Sequence, residues 1–570
     1  MYNTSRRLVG LCVVLFAQFA SFVALAASPE AVHGRSGMVA SRSMLASQVG
    51  ADIMRDGGNA IDAAVATGFA LAVTYPAAGN LGGGGFMVIH LADGSVVTND
   101  HRERAPAAAQ RDMYLDAGGN VVPGLSTNSH LASGVPGSVA GMLDVLEKYG
   151  TLPRKAVIAP AIRLAKDGFV LNDDLAREFT EEAADFAKYP GSARVFLKRD
   201  GSAYREGERF RQPELAKTLE LIAAKGKDGF YRGRTAELIV AEMARGGGLI
   251  TAKDLADYRS VWREPITGTY RGYRIYSMAP PSSGGVLLVQ MLNMLEPYDI
   301  KALGFGSAAT IHLMIEAERR AYADRAEYLG DPDFFNVPVA QLVAKPYATA
   351  RFADFDATRA TPSSSIGPGQ VAHESPQTTH LSVMDAAGNA VAYTTTLNLS
   401  FGSKIVVDGA GFLLNNEMDD FSSRENTPNS YGLIGRVANS IEPGKRMLSS
   451  MTPTIVVDSA GHVLLATGSP GGSTIITTVL QVVVNVLDHG MELADAVGLP
   501  RFHHQWQPDR VVFERWGISP DTLNILAGRG HSLVLLPWGR GIGDANSVMR
   551  SGDELLGVSD PRNRGGAAGH

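Results

Sequence analysis

A segment rich in Ser, Pro and Gly, residues 361–377, divides the sequence into two parts of different character. Before it, residues 152–260 are mostly helical in pattern, and residues 308–328 predict one long amphipathic helix. After it, two hairpins are predicted, by strand patterns at 378–385 with 390–397 and at 453–458 with 462–467. This order of elements favours an α+β fold in which helices cover antiparallel sheets.

The dividing segment itself has neither a helical nor a strand period. Its sequence, TPSSSIGPGQVAHESPQ, is typical of an exposed loop. Exposed loops are where a protease or a self-cleavage reaction can reach the backbone, so this segment is a candidate site of chain cleavage.

Two helices and a strand are predicted near the start of the chain. Residues 38–56 have apolar residues at a spacing of four, and Gly57-Gly58 ends the pattern. Asn59 can cap a second, Ala-rich helix, Ala60–Val73, which has apolar residues on nearly all faces and should be buried. After a run of glycines, Phe86–His90 has the pattern of a strand.

The first 26 residues have the organisation of a secretory signal peptide. Arg6 and Arg7 form a basic start, Leu8–Leu25 is mostly apolar, and Ala24-Leu25-Ala26 is a small-x-small cleavage signal. The alternative is an uncleaved membrane anchor, but no second apolar run or positively charged flank follows. We therefore expect an exported protein, periplasmic or secreted.

Composition excludes several classes of protein. Cys12 is the one cysteine of the sequence and lies in the predicted signal peptide, so the mature chain has no disulfide, thiolate metal site or cysteine nucleophile. The 52 Lys and Arg against 58 Asp and Glu give a net charge of −6. A nucleic-acid-binding protein would normally show a basic excess instead.

Several common catalytic signatures are absent. The sequence contains no HExxH, GxxxxGK[ST] or GxSxG, and Gly82–Gly85 precedes a predicted strand instead of the helix that a dinucleotide fingerprint needs. The adjacent His503 and His504 are poor joint metal ligands, because neighbours on an extended chain point apart. We interpret them as packing or surface residues, and we expect neither a metal nor a cofactor.

Three motifs remain candidates for a functional site. The first, Gly468-Ser469-Pro470-Gly471-Gly472-Ser473, follows a predicted strand and opens the predicted helix 474–488. Glycines let the backbone approach a ligand closely, and free N–H groups at a helix start favour negative charge. The motif can therefore hold an anion or an oxyanion, or it can be a tight turn without a ligand.

The second motif is Leu414-Asn415-Asn416-Glu417-Met418-Asp419-Asp420-Phe421. Its amides and carboxylates between apolar residues are unusual for a solvated loop and can hold a substrate ammonium group. A calcium loop is a competing interpretation, but the alternating oxygen ligands and central Gly of an EF-hand are missing. A plain polar turn is the third.

The third motif is Thr378-Thr379-His380, where the loop becomes a strand. Threonine is common in strands, so the motif alone is ordinary. Its position matters, because a Thr at a new N-terminus carries both a hydroxyl and an α-amine. With a pKa of about 8, that amine can act as a general base at neutral pH without a histidine.

Eight stretches of the sequence carry a further signal. In chain order they are GGNAIDAAVATGFALAVTYPAAGNLGGGGF, RERAPAAAQRDMYLD, PPSSGG, YADRAEYLGDPDF, TTHLSVMDAAGNAVAYTTTLN, LLNNEMDDFS, LSSMTPTIV and TGSPGGS. Together they resemble the γ-glutamyltransferase (glutathione hydrolase) family, whose members are N-terminal-nucleophile hydrolases. The resemblance extends over essentially the whole mature chain.

The resemblance implies roles for individual residues. Thr378 matches the autoprocessing threonine, which puts the cut between Gln377 and Thr378, and Thr396 matches the threonine that supports the nucleophile's hydroxyl. The implied substrate-binding residues are Arg102, Ser449 and Ser450 for the glutamyl α-carboxylate, Asn398, Glu417 and Asp420 for the α-ammonium group, and Tyr431 in a segment that matches a lid loop. The implied oxyanion hole consists of Gly471 and Gly472, in agreement with the glycine-rich helix start.

The resemblance also implies an architecture and a reaction. Residues 27–377 and 378–570 would remain together as a heterodimer within one αββα sandwich. The enzyme would cleave the γ-glutamyl amide of glutathione and related compounds through an ester on Thr378. It would pass the glutamyl group to water, amino acids or peptides. The reaction would need no cofactor, and the mature protein would bind neither nucleic acid nor a membrane.

Two features depart from the family pattern, and two other functions remain open. Gln377 stands where many relatives have another polar residue, and residues 538–544 are less typical of the family. One alternative is a cephalosporin or glutaryl acylase on the same scaffold, whose substrates need no α-ammonium site. The other is a secreted binding protein that never matures.

Overall fold

The computed structural model describes residues 30–366, 378–424, 427, 429–430, 432–433 and 436–570. The predicted signal peptide at residues 1–26 lies outside the described residues, as do Gln377 and Tyr431. Within the described ranges, no helix has the length and apolar character needed to cross a membrane.

The strands of the described chain are numbered in order. They are β1 Val32–Gly34, β2 Gly37–Ser41, β3 Gly84–His90, β4 Val96–His101, β5 Phe169–Val170, β6 Arg209–Phe210, β7 Val261–Arg263, β8 Ile266–Tyr270, β9 Tyr273–Ser277, β10 Thr379–Asp385, β11 Ala390–Thr396, β12 Thr454–Val457, β13 Val463–Thr467, β14 Phe502–His503, β15 Val511–Phe513, β16 Leu533–Leu535, β17 Asn546–Ser551, β18 Glu554–Ser559 and β19 Gly566–Gly569.

Helices fill most of the chain between these strands. The α-helices are Met44–Arg55, Ala60–Thr74, Ser138–Tyr149, Arg154–Asp167, Asp173–Phe186, Pro190–Phe196, Pro213–Lys225, Asp228–Tyr231, Gly233–Gly246, Ala252–Asp257, Gly284–Leu295, Ile300–Leu303, Ala308–Tyr328, Val339–Leu342, Lys345–Arg351, Thr474–Leu487, Leu493–Gly498 and Pro520–Gly528. Short 3₁₀ turns lie at His130–Ala132, Ser363–Ser365, Glu417–Asp420 and Val437–Asn439.

Two seven-stranded antiparallel sheets form the centre of the molecule. The strand order is β19-β2-β10-β11-β3-β4-β7 in one sheet and β1-β18-β17-β13-β12-β9-β8 in the other. Each sheet combines strands from before and after the segment 361–377. Two smaller sheets, β14-β15-β16 and β5-β6, lie outside this pair.

Small and flexible apolar side chains fill the space between the two large sheets, among them Met38, Ala40, Val88, Ala392, Ile455 and Ala466. The alternate residues of the same strands, such as Val39 and Leu381, pack with the helices on the outer face of the first sheet. The outer face of the second sheet packs against the helices Gly284–Leu295, Ala308–Tyr328 and Thr474–Leu487. The result is an αββα sandwich, which confirms the predicted fold class.

The predicted helix 38–56 is wrong in its first part. Residues Gly37–Ser41 are strand β2, which pairs with β10 on one side and β19 on the other. The helix begins only at Met44, after Ser43, whose side chain accepts a hydrogen bond from the Ala46 N–H at 3.4 Å. Alternate burial of Met38 and Val39 on opposite faces needs a strand, and tertiary pairing decides the local structure here.

The other predicted elements are confirmed within a residue or two. Asn59 caps the helix Ala60–Thr74 with a reciprocal capping box to Asp62. The hairpins β10–β11 and β12–β13 pair antiparallel as expected. The long helix Ala308–Tyr328 has the predicted bounds, but its charged residues are nearly all buried, so it does not present a solvated face.

Candidate active site

The hairpin β10–β11 brings the two predicted threonines to one place. Thr379 pairs with Thr395, so Thr378, just before β10, lies beside Thr396, the last residue of β11. Both are buried. The backbone then turns sharply at Asn398, which has a φ of 76° and donates its N–H to Thr396 Oγ1 at 2.8 Å.

A cleft of about 270 Å³ opens at this end of the hairpin. Nine of the residues predicted for the site line it together: Arg102, Thr378, Thr396, Asn398, Glu417, Asp420, Ser449, Ser450 and Gly472. A larger cleft of about 1080 Å³ is lined by Arg42, Tyr75 and Leu175 among others and contains none of them. Chemistry, and not size, therefore identifies the candidate site.

Arg102 is the centre of the charged side of the cleft. It follows β4, is fully buried, and donates from Nη1 to Glu417 and from Nη2 to Asp420 Oδ2 at 2.5 Å. Its Nε–H binds the Met447 carbonyl at 3.2 Å, which fixes the plane of the guanidinium group. Glu417 and Asp420 come from one 3₁₀ turn, so a single short element supplies both carboxylates.

Burial and ion pairing have opposite effects on the pKa values of Arg102, Glu417 and Asp420. Burial raises the pKa of both Glu417 and Asp420, while the Arg102 charge partly counteracts it. Burial alone would lower the pKa of Arg102, but the carboxylates of Glu417 and Asp420 outweigh it and raise that pKa. Burial also raises the pKa of the neighbouring Glu103 carboxyl, to about 7. The cluster therefore carries more acidic than basic groups and suits an incoming ammonium group.

This arrangement argues against two of the interpretations of the 414–421 motif, the calcium loop and the plain polar turn. Two of its carboxylates converge on an arginine, which is not how a calcium loop or a solvated turn is built. The third, Asp419, is directed elsewhere and accepts from Ser126 Oγ at 2.6 Å and from the Ser430 N–H at 2.9 Å.

Ser449 and Ser450 lie opposite, held by the loop that precedes the helix Gly284–Leu295. Ser283 donates its hydroxyl to the Ser449 carbonyl at 2.7 Å, and the Ser449 N–H donates to the Pro281 carbonyl at 2.8 Å. The Ser449 hydroxyl oxygen accepts the Met451 N–H at 3.1 Å. Its hydrogen therefore remains free to be donated to a ligand.

The glycine-rich motif forms the start of the helix Thr474–Leu487. Gly471 and Gly472 have φ of +133° and +56°, in the region that side chains disfavour. A Cβ on Gly471 would also lie 2.3 Å from Thr474 Oγ1. Gly472 lines the cleft, whereas Gly471 lies next to it in the chain without being a lining residue. The unusual segment 538–544 packs here too, since Gly543 lies against Gly471.

His380 follows the candidate nucleophile but is enclosed between the sheets. Its Nδ1 lies 2.8 Å from Thr394 Oγ1 and its Nε2 lies 3.0 Å from Ser382 Oγ. Burial lowers the pKa of His380 to about 3, so the ring is neutral over the working pH range. A packing role accounts for these contacts.

The histidines offer little to a metal ion. His503 and His504 are buried with different partners, Thr477 and Asp509, as expected for separate packing residues. Within the described ranges, the one group with metal-ligand spacing is His312, Glu316 and His531, away from the cleft. Its carboxylate is already paired with Arg319 and Arg320.

Sequence reasoning missed part of the site. Leu433, Met451 and Ile475 form apolar walls of the cleft, and Arg325 lies behind Ser450. Three of these four residues stand inside or next to the motifs LSSM, TGSPGGS and YADRAEYLGDPDF, so the signal was their position beside matched residues.

The sequence and the fold both resemble those of known proteins. The sequence matches the family described as Gamma-glutamyltranspeptidase over residues 46–570. A glutathione hydrolase proenzyme of Escherichia coli (strain K12) is 53% identical over 93% of this chain and 91% of its own.

Two solved structures extend the comparison. A cephalosporin acylase from Bacillus halodurans superimposes with a TM-score of 0.84 over 96% of this chain and 98% of its own, at 28% identity. The Helicobacter pylori gamma-glutamyltranspeptidase has a TM-score of 0.57 over 61% of this chain and 97% of its own, at 49% identity.

Proposed function

The chain belongs to the gamma-glutamyltranspeptidase family, and on that premise we propose that it is a glutathione hydrolase and γ-glutamyltransferase. It cleaves the γ-glutamyl amide bond of glutathione and related compounds and passes the glutamyl group to water or to amino acids and peptides. It is made as a precursor that cleaves itself.

One observation carries the proposal. A buried arginine with two carboxylates, Arg102 with Glu417 and Asp420, shares a cleft with Thr378. The two α-groups of a glutamyl residue are a carboxylate and an ammonium group, so they find both charges in one cluster. Charge-assisted contacts of this kind hold the γ-carbon in position relative to a nucleophile. Such positioning lowers the activation free energy of the attack.

In maturation, the Thr378 hydroxyl attacks the carbonyl carbon of Gln377. The peptide bond between them breaks, an ester forms, and water hydrolyses the ester to leave a free α-amine on Thr378. The products are residues 27–377 and 378–570, which stay associated as a heterodimer. The signal peptide directs the precursor to the periplasm or the medium.

In catalysis, the same hydroxyl attacks the γ-amide carbon while the α-amine of Thr378 accepts its proton. The N–H groups of Gly471 and Gly472 stabilise the oxyanion, an interaction worth about 3–4 kcal/mol per donor. The leaving amine takes a proton, and a γ-glutamyl ester remains on Thr378. Water or an amino acid then attacks the ester and restores the hydroxyl. Thr396, held by the Asn398 N–H, supports the nucleophile.

The fold of the cephalosporin acylase favours a second candidate, an acylase that removes a glutaryl group. Glutaryl differs from γ-glutamyl by lacking the α-ammonium group. The acidic excess around Arg102 opposes it, because a glutaryl group would bring no second cation to the two carboxylates that share Arg102.

The test is a denaturing gel followed by an assay with γ-glutamyl-p-nitroanilide and its glutaryl counterpart. Two fragments and a preference for the γ-glutamyl compound are expected. A single uncleaved chain without activity would support a binding protein, and a preference for the glutaryl compound would support an acylase.

The pH dependence identifies the base. Activity is expected to rise with pH through a group of pKa about 7 to 8, because the α-amine accepts a proton only when deprotonated. His380 cannot produce this limb, since burial lowers its pKa to about 3 and it is already neutral there. His380→Gln should therefore keep the limb in a plot of kcat/KM against pH.

Maturation of this variant is checked on the same gel. Loss of the limb in a normally matured His380→Gln enzyme would make the histidine the base and would contradict the amine mechanism.

A further inference from the structure

Arg325 is a buried arginine that contacts Ser450, a lining residue of the cleft, without lining the cleft itself. It belongs to the helix Ala308–Tyr328 and is 4% exposed. Its Nε donates to Ser283 Oγ at 2.9 Å and its Nη2 donates to Ser450 Oγ at 3.1 Å. Ser450 lines the cleft, so one hydroxyl separates this guanidinium group from the interior of the cleft.

The surroundings of Arg325 differ from those of other arginines on its helix. Arg319 pairs with Asp509 and Arg320 pairs with Glu316 and Asp354. Across the residues that the structure describes, no carboxylate forms an ion pair with Arg325. Burial lowers its pKa to about 10, which still leaves it charged at neutral pH. The Asp420 carboxylate interacts with Arg325 electrostatically, but not at ion-pair distance. A buried charge with no direct counter-ion is costly, and a ligand of opposite charge can offset that cost.

The charges across the cleft indicate which ligand group this is. Arg102 is already engaged by Glu417 and Asp420, with Glu103 3.6 Å from its Nη1. An incoming α-carboxylate therefore meets an arginine that already has three carboxyl groups as neighbours. A second positive charge on the serine side is needed to make the site favourable for a zwitterionic glutamyl group.

The hydrogen bonds of the serine hydroxyls also indicate a carboxylate ligand. Because Arg325 donates to the oxygen of Ser450, the hydrogen of that hydroxyl is directed elsewhere and can be donated to an anion in the cleft. Ser283, the other group that Arg325 contacts, donates to the Ser449 carbonyl. The guanidinium group thus orients both serines through two short hydrogen-bonded links.

We propose that Arg325 is a positioning and specificity-determining residue, which selects substrates with an α-carboxylate by orienting and polarising Ser450 and, through Ser283, Ser449. This role rests on the proposed γ-glutamyl activity. It assigns the recognition of the α-carboxylate to two cations on opposite sides of the cleft, Arg102 directly and Arg325 through the serines.

The experiment compares γ-glutamyl-p-nitroanilide with its α-carboxamide, which has the same shape and no negative charge. In Arg325→Gln, kcat/KM for the acid should fall at least about tenfold, the worth of a hydrogen bond to a charged group. For the carboxamide it should change by less than about threefold, because that substrate gains little from the charge. Arg325→Lys, which retains the charge, should recover part of the lost discrimination.

Arg320→Gln is the matched control, a buried arginine on the same helix that is paired away from the cleft. General damage to the helix would lower kcat/KM for both substrates equally in either variant. An unchanged acid-to-carboxamide ratio in Arg325→Gln would contradict the proposal.

Should Arg325→Gln give no mature enzyme, Ser283→Ala decides. It removes one of the two hydroxyls that hold the guanidinium group and should lower the ratio by about threefold, and an unchanged ratio would overturn the proposal. A wild-type enzyme inactive on the acid substrate would instead contradict the proposed function itself.

Discussion

Thr378→Ala is expected to give a single uncleaved chain without detectable γ-glutamyl hydrolysis. The variant lacks the hydroxyl that we propose attacks in both maturation and catalysis, so the loss should be complete in each. The measurements are a denaturing gel of the purified protein and an assay with γ-glutamyl-p-nitroanilide. Thr378→Ser keeps a hydroxyl and should still be cleaved.

Thr379→Val is the matched control. Thr379 is the next residue, equally buried, and its hydroxyl has no hydrogen-bond partner among the described residues, so its loss should cost little. Normal cleavage of Thr379→Val beside an intact Thr378→Ala chain would locate the reaction at one hydroxyl. Cleavage of Thr378→Ala at the same bond would show that another group performs it.

Asp420→Ala is expected to raise KM for γ-glutamyl substrates about 100-fold or more, the effect of breaking a buried charge-assisted contact worth about 3 kcal/mol. Asp420 is bound to Arg102 Nη2 at 2.5 Å, and without it one carboxylate fewer faces the substrate ammonium group. Cleavage of the precursor should be largely retained, because the charged cluster is not part of the bond that is cut.

Asp419→Ala provides the comparison. Asp419 is adjacent in the chain but contacts Ser126 and the Ser430 N–H instead of Arg102. Steady-state kinetics should show a much smaller change in KM for it. An Asp420→Ala enzyme with KM within about threefold of the wild type would remove Asp420 from ammonium binding, since a lost charged contact costs more than that.

Local patterns predicted the elements well where local and tertiary preferences agree. The capping box at Asn59 and the hairpin that carries Thr378 and Thr396 were both predictable from sequence. Strand β2 was not, because residues 38–41 become a strand only through pairing with β10 and β19, which lie hundreds of residues away. Propensity has no access to such partners.

The residues of the candidate site also fall into a group that the sequence predicted and a group that it did not. Motifs predicted nine of the residues that line the cleft, but not its apolar walls Leu433, Met451 and Ile475. Arg325 was hidden within a helix that has other arginines with ordinary ion pairs. What distinguishes it is the lack of a carboxylate at ion-pair distance, and only the three-dimensional arrangement of the described residues reveals that.

Strands from the two sides of the proposed cut lie side by side within each sheet, and this affects how a cleaved molecule could unfold and refold. Strand β2 lies between β19 and β10, so a strand from before the proposed cut is enclosed by two from after it. The two pieces that the proposed cut would give therefore cannot separate without breaking the hydrogen bonds of β2 with β10 and β19. The cut would, however, remove the covalent link that joined the two pieces during folding. A matured molecule that is once unfolded should fail to reassemble efficiently from its two pieces. The lifetime of the folded, cleaved protein would then be set by its unfolding rate, and not by a reversible folding equilibrium.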